Sequence, residues 1–401
     1  MNEKLKAKFE SVGVLVPKLV MPREGIDLSK YSVVACDQYT SQKEYWEDVR
    51  SLTNGSVTAL DFIMPEAWLN KKGEADTKEH QEHQESIPSK MKELLSRGDL
   101  RELTPGMMYV SRTLSSGDIR CGLVLALDLE QYDYNAGSHS LIRATEKTVA
   151  ERIPARAAIR AKAVLECPHI MVLYADKKDE LNSALKNICE NKSAFYSFEL
   201  MKNSGYLEGY HITADDELER VADILIGLKE NAKDGMLFAI GDGNHSLAAA
   251  KMHWENIKKD LSESQRKEHP ARYALVELVN LYDEGLGFEP INRVLYDVDP
   301  KAVQEELCFD ANNPESIQTL QPKLDECLKK HKEASIDYIH GKDVAKDLEA
   351  KAPKTTLAIC FEGFDRDSLF SDVIKNGCLV RKSFSMGHAE DKRFYLEARK
   401  I

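Results

Sequence analysis

Leu237-Phe-Ala-Ile-Gly-Asp-Gly-Asn-His-Ser-Leu-Ala-Ala-Ala-Lys-Met-His-Trp254 changes character twice in one short span. Met236 to Ile240 is an apolar run with strand character, Gly241 and Gly243 bracket Asp242, and an alanine-rich amphipathic segment follows at once. The reading is strand, tight turn, helix. Two glycines let such a turn take positive φ and let its amides come close to a ligand. The helix start adds unpaired N–H groups and a positive dipole end, a place for phosphate or carboxylate. Asp242 could hold a divalent metal or take a proton, and His245 could donate or shuttle one. Asp, Gly, Asn and Ser are also ordinary turn and cap residues, so spacing alone leaves a plain strand-to-helix junction open. The stretch is neither a G-x-x-x-x-G-K-[ST] loop nor a G-x-G-x-x-G fingerprint, which disfavours those two nucleotide classes.

Outward from this turn the chain alternates apolar runs with helical patterns. Tyr109 to Thr113 and Cys121 to Leu129 predict a hairpin with Ser115-Ser-Gly-Asp118 as its turn. Ser41 to Leu52 has helical periodicity, with Tyr45, Trp46 and Val49 on one face. Asp179 to Lys192 and Asp215 to Leu228 predict helices, and Tyr273 to Tyr282 a strand. A basic helix over Thr148 to Glu166 carries Arg152, Arg156 and Arg160 at i, i+4 spacing, a stripe that suits an anion or simply faces solvent. His80 and His83, three apart, could share a helix face for a metal, yet the neighbouring lysines and glutamates favour a solvated helix. Composition shifts after Pro300. The expected division is therefore an N-terminal mixed region over 1–230, a central domain over 231–299 carrying the turn, and a C-terminal α/β region over 300–401.

With 55 basic against 67 acidic side chains the formal charge is −12, which opposes a nucleic-acid partner. No apolar run approaches membrane-spanning length and the start is polar, so no membrane partner and a cytoplasmic location are expected. The eight cysteines include no C-x-x-C pair, so zinc ribbons and redox dithiols are unsupported and most read as reduced core residues. Cys36 stands apart because it abuts Asp37-Gln38-Tyr39 in a loop, where a nearby cation would make it reactive.

Gly241-Asp-Gly-Asn-His-Ser246 followed by Leu-Ala-Ala-Ala resembles the Asp-Gly-His-His-Arg box of the prokaryotic family called domain of unknown function 1015. Val33 to Tyr39, Gly122 to Glu130, Arg143 to Thr148, Ala274 to Leu281 and Pro290 to Arg293 fall in that family's order. The box is similar to that of free-serine kinases and, more distantly, to the phosphate-binding turns of chromosome-partition nucleotidases and sulfiredoxin. The resemblance implies an α+β (mixed α and β) fold with a central sulfiredoxin- or partition-protein-like domain and flanking α/β segments. It also implies a nucleotide or phosphate ligand. Two positions depart from the box: His-His is Asn244-His245, and the closing Arg is Ser246. An arginine clamps phosphate with two hydrogen bonds where serine offers one, so phosphoryl transfer needs another cation.

The resulting expectation is a protein that binds a nucleotide or phosphorylated small molecule at the Gly241–Ser246 turn, with small-molecule kinase activity as the enzymatic form. Asp242, His245 and Glu146 are the candidate catalytic residues, and Asp242 the metal ligand for a magnesium that bridges the phosphates. Gly241, Gly243, Asn244, Ser246, Arg143, Lys147, Arg152, Arg156, Arg293, Asp37, Gln38 and Tyr39 are the candidate ligand contacts, with Lys147 as replacement for the missing arginine charge. A non-catalytic nucleotide sensor and a metal-dependent hydrolase remain as rivals. The partner is a small phosphate-bearing ligand, and the sequence sets no oligomeric state.

Overall fold

The computed structural model describes residues 1–70, 73–147, 153–311, 314–331 and 333–401. The chain forms two compact units. The first is Met1–Ala144, Thr148–Leu286 and His388–Ile401, and the second Thr145–Lys147 with Gly287–Gly387.

A mixed sheet with ten described strands runs through the first unit. In chain order these are β1 (Val14–Leu15), β2 (Met107–Thr113), β3 (Ile119–Asp128), β4 (Tyr132–Asp133), β5 (Ile142–Arg143), β6 (Met171–Tyr174), β7 (Tyr196–Glu199), β8 (Tyr206–Ile212), β9 (Phe238–Asp242) and β10 (Tyr273–Asn280). Across the sheet the order is β7-β8-β2-β3-β10-β6-β9-β5-β4, with β1 also paired to β3. β10 and β6 are parallel, as are β9 with β5 and β5 with β4, while the remaining pairs are antiparallel. The fold is α+β, as the sequence implies.

The predicted hairpin is β2–β3, in register from Met108↔Val124 to Thr113↔Ile119 and closed where Leu114 N–H donates to Asp118 O at 2.8 Å. β3 is buried on both faces, which is why Leu123-Val-Leu-Ala-Leu127 reads as a continuous apolar run. Leu123, Leu125 and Leu127 enter one core cluster, whereas Val124 enters the other. Each such side chain stabilises the fold by about 1.5–3 kcal/mol. The first cluster is capped by α1 (Glu3–Ser11), α5 (Glu180–Cys189) and α6 (Asp215–Glu230), through Leu5, Phe9, Leu181, Leu185, Leu218 and Val221. The second takes in α2 (Lys43–Thr53) and α3 (Lys78–Ser96), through Trp46, Val49, Ile87 and Met91. Two further helices pack on each other, α4 (Ile153–Arg160) and α7 (Asn244–Ile257), the latter following β9 directly.

The C-terminal fourteen residues correct the expected three-way division. Phe394–Tyr395 pairs with Val33–Val34, and Arg399–Lys400 with Leu165–Glu166, so this segment returns to the first unit. Its buried charges anchor it there. Arg393 bonds Glu277 and lies 2.6 Å from Glu397, and Arg399 lies 2.6 Å from Glu166. Gly122 makes the room, since a Cβ there would fall 2.3 Å from Glu277 Oε1. Residues 231–299 do not stand alone either, because β9 and β10 lie inside the ten-stranded sheet.

The second unit is a three-stranded antiparallel sheet in which β11 (Asn292–Tyr296) lies between β12 (Ser335–Ile339) and β13 (Thr356–Ile359). Helices α8 (Pro300–Leu307) and α9 (Ile317–Lys330) close its core through Val303, Leu320 and Leu324 packed against Leu295 and Leu357. Among the described residues no helix is long and apolar enough to cross a membrane.

Candidate functional site

β9 ends at Asp242, Gly243 turns the chain at φ 81° and ψ 25°, and α7 begins at Asn244. The strand-to-helix turn forms as expected, with Gly243 taking the positive φ while Gly241 lies within β9. Gly243 is required twice: by its left-handed backbone, and because a Cβ would sit 3.0 Å from Ile170 Cγ1 and 3.1 Å from Ile170 Cα. Glycine has no side chain to cap the first turn of α7, whose N-terminus carries the positive end of the helix dipole. Leu247, Ala250 and Trp254 face the core, while Ala248 and Ala249 pack on Ile153 and Ala157 of α4. Small side chains at that contact bring the basic helix close to the turn.

Asp242 is held on both carboxylate oxygens. Oδ1 accepts the Gly243 amide at 2.8 Å, and Oδ2 lies 3.2 Å from Lys392 Nζ. Ser246 Oγ lies 3.4 Å from His169 Nε2, and the other ring nitrogen, Nδ1, is 2.8 Å from the Tyr395 hydroxyl. Tyr395 Oη also accepts the Cys36 amide at 3.2 Å, and His169 Nε2 is 3.7 Å from Asp37 Oδ2. Burial alone would raise the Asp37 carboxyl. The charges of His169, Lys392 and Arg156, with the hydrogen bond from Gln38, outweigh it and hold Asp37 below its usual value. Burial, reinforced by Asp37, pushes the Cys36 thiol up to about 12. Cys36 is therefore an inert thiol and not the reactive one that a nearby cation would make.

Beside this cluster lies a cavity of about 540 Å³. Ser246 and His169 form one side of its lining, Arg156 and Arg160 another, and Phe62, Met64, Ile87 and Met91 supply apolar wall. The size falls in the range of small-molecule sites, and apolar walls with a few polar groups are their usual makeup. Arg156 bonds Glu66, and Arg160 Nη2 lies 2.5 Å from Glu166 Oε2. Arg160 Nε is buried with no partner among the described residues.

Residues 20–366 match the family described as protein of unknown function (DUF1015). The chain belongs to this family. No curated protein matches the sequence. Among solved structures, this DUF1015 member is similar to a conserved hypothetical protein from Pyrococcus furiosus, at 11% identity and TM-score 0.35 over 69% of this chain and 94% of that one. It is also similar to a free serine kinase in complex with AMP, at 10% identity and TM-score 0.37 over 68% and 90%. A variant of that kinase in complex with ADP gives 10%, 0.38, 68% and 91%.

In the DUF1015 chain the first unit brings together Gly241, Asp242, Gly243, Asn244, His245, Ser246, Asp37 and Arg156. Asn244 is buried and His245 half-buried on the first turn of α7. Gln38 orients Asp37 by donating to Oδ1 at 3.0 Å, and its own carbonyl accepts Trp46 Nε1. Tyr39 instead stacks on Tyr45, ring centroids 3.7 Å apart. Arg143 is also spent elsewhere. Its guanidinium is 2.8 Å from Asp234 Oδ2 and donates to the Asp234 and Ser140 carbonyls, ahead of the start of β9 rather than at its end. Glu146, Lys147 and Arg293 fall in the second unit. There Glu146 accepts the Lys382 amide, while Arg293, fully buried, bonds Gln321 and the carbonyls of Arg381 and Lys382. Arg152 lies outside the described residues. His80 and His83 are no metal pair: His80 stacks on Trp68 and bonds Asp76, and His83 Nε2 bonds the Ile63 carbonyl.

Sequence reasoning passed over His169, Lys392 and Tyr395. His169 reads as the start of a buried strand. Lys392 and Tyr395 sit in a segment that reads as part of the last domain. The visible signal was Asp391-Lys-Arg-Phe-Tyr-Leu-Glu-Ala-Arg399, whose density of charge in an apolar run demands buried partners.

Proposed function

We propose that the first unit binds a nucleotide or phosphorylated small molecule, with a phosphate at the Gly241–Ser246 turn and the organic part in the adjoining cavity. One observation carries this reading. Ser246, on the first turn of α7, also lines the cavity shared with Arg156 and Arg160, so a helix N-terminus and two guanidiniums serve one opening. The apolar wall suits a base or another flat organic group.

The chemistry these side chains support is phosphoryl transfer to a small hydroxyl. The hydroxyl oxygen attacks the terminal phosphorus, the bond to the leaving phosphate oxygen breaks, and Asp242 takes the hydroxyl proton. His245 contacts phosphate. Lys392 is the cation beside Asp242. Magnesium takes one or two carboxylates together with substrate phosphates, so Asp242 and the ligand's own oxygens would hold it and supply charge neutralisation there. The cytosol suits such a ligand and keeps the chain's thiols reduced.

A nucleotide sensor without turnover is favoured by one feature, the commitment of Lys392 to Asp242, which takes that cation away from phosphate. Purified protein incubated with ATP or CTP and magnesium separates the readings. The kinase reading expects raised thermal stability and consumption of nucleotide once a hydroxyl acceptor is present. The sensor reading expects stabilisation alone, and no stabilisation by any phosphate-bearing compound removes both.

A further inference from the structure

In the second unit, α8 and α9 pack on each other and bring together three side chains that the nucleotide reading does not use. Cys327 lies on the last turns of α9, and His331 follows four residues later as its C-cap, so both project from one face. Glu306 comes from α8. Its Oε2 lies 3.1 Å from His331 Nε2 and 3.8 Å from Cys327 Sγ. The three donor atoms all lie within 4.8 Å of one another.

We propose that Glu306, Cys327 and His331 form a zinc site that clips α8 to α9. Tetrahedral zinc, with bonds of about 2.0–2.3 Å, sets its donor atoms about 3.3–3.7 Å apart. Two of the three edges here bracket that range, and the third is no longer than 4.8 Å. Thiolate, imidazole and carboxylate together select a borderline metal, whereas magnesium and calcium call for oxygen ligands alone. The second carboxylate oxygen of Glu306 is 2.9 Å from Lys330 Nζ, which orients the carboxylate and leaves Oε2 for the metal. Cys327 is buried while Glu306 and His331 are exposed, so the ion enters from solvent and its fourth position takes water. Zinc takes the Cys327 sulfur as thiolate, so binding releases a proton to solvent and affinity falls as pH is lowered.

The full chain, stripped with a chelator, is titrated with cobalt(II) and then with zinc. The site expects one cobalt per chain, with the near-ultraviolet absorption of a thiolate-bound ion and the visible intensity of tetrahedral coordination, both lost when zinc displaces it. Cys327→Ser should abolish the thiolate band. His331→Gln, at an exposed position that does not endanger folding, should weaken zinc binding by about tenfold or more. Cys308→Ser, at the exposed cysteine nearby in sequence, should leave both signals intact. A parent protein without the thiolate band overturns the proposal. So does a band that survives Cys327→Ser or vanishes with Cys308→Ser, or a zinc affinity that His331→Gln does not change.

Discussion

Replacing Gly243 by alanine tests whether the turn is built for a backbone that no other residue can supply. A non-glycine residue in the left-handed region costs about 1–2 kcal/mol. The new methyl would also meet Ile170 Cγ1 at 3.0 Å and Ile170 Cα at 3.1 Å, and the second of these is backbone that no rotamer change can move. Overpacking of this kind adds about 1–3 kcal/mol. Alanine returns about 0.4–1 kcal/mol by restricting the unfolded chain, so the expected net loss is about 1–4.6 kcal/mol. Gly117→Ala is the matched control, because Gly117 has φ 92° in the hairpin turn and nothing within 4 Å of its Cβ position. That variant bears the backbone cost alone. All three tryptophans, Trp46, Trp68 and Trp254, belong to the first unit, so urea unfolding followed by tryptophan fluorescence reports on that unit. The reasoning is refuted if Gly243→Ala is no less stable than Gly117→Ala, since the crowding against Ile170 would then be imaginary.

Arg393→Met leaves Glu277 and Glu397 buried without their cation and should cost about 3–5 kcal/mol in the same assay, and a loss below about 1 kcal/mol would show that the pair is solvated. Burial holds His83, His211 and His253 below their ordinary value of 6.5, so each binds fewer protons folded than unfolded; stability should fall as pH drops below about 6.5, and a melting temperature unchanged between neutral and mildly acid pH would contradict this. If the first unit transfers phosphoryl groups, Asp242→Asn should abolish turnover while leaving the fold intact, with unfolding followed by fluorescence still cooperative. If it only senses a nucleotide, His245→Ala should instead weaken ligand-induced stabilisation by about 1.5–3 kcal/mol, and indifference of both variants would place the working site elsewhere.

The parts of the fold legible in the sequence are those whose cause is local. Ser115-Ser-Gly-Asp118 closes the β2–β3 hairpin because Gly117 takes positive φ between two apolar runs. The helices over Lys43–Thr53, Asp215–Glu230 and Asn244–Ile257 declare themselves by apolar residues three and four apart. The division into units was not legible, because its cause lies far along the chain. β5 is two residues long and exists because β9, almost a hundred residues later, offers it a partner. The segment from His388 reads as a continuation of the unit before it, yet its arginines are claimed by Glu166 and Glu277 of the other.

The same contrast governs the site. The turn and Asp37 could be read because their residue types serve backbone geometry and charge at one place. The supporting cations could not, since a cation is available to a ligand only if no carboxylate has taken it. With 67 acidic against 55 basic side chains, competitors for every cation are plentiful. Asp234 claims Arg143, Glu66 claims Arg156, Glu166 claims Arg160 and Asp242 claims Lys392. If a phosphate binds at Ser246 as proposed, it must replace or share a carboxylate partner of these cations, and the net gain is smaller than a bare guanidinium would give. The exception is Arg160, whose Nε has no partner among the described residues and can gain a hydrogen bond without losing one. Of the four cations it is the one whose loss should weaken a phosphate ligand most directly, even though spacing along the helix gave it no priority over Arg156.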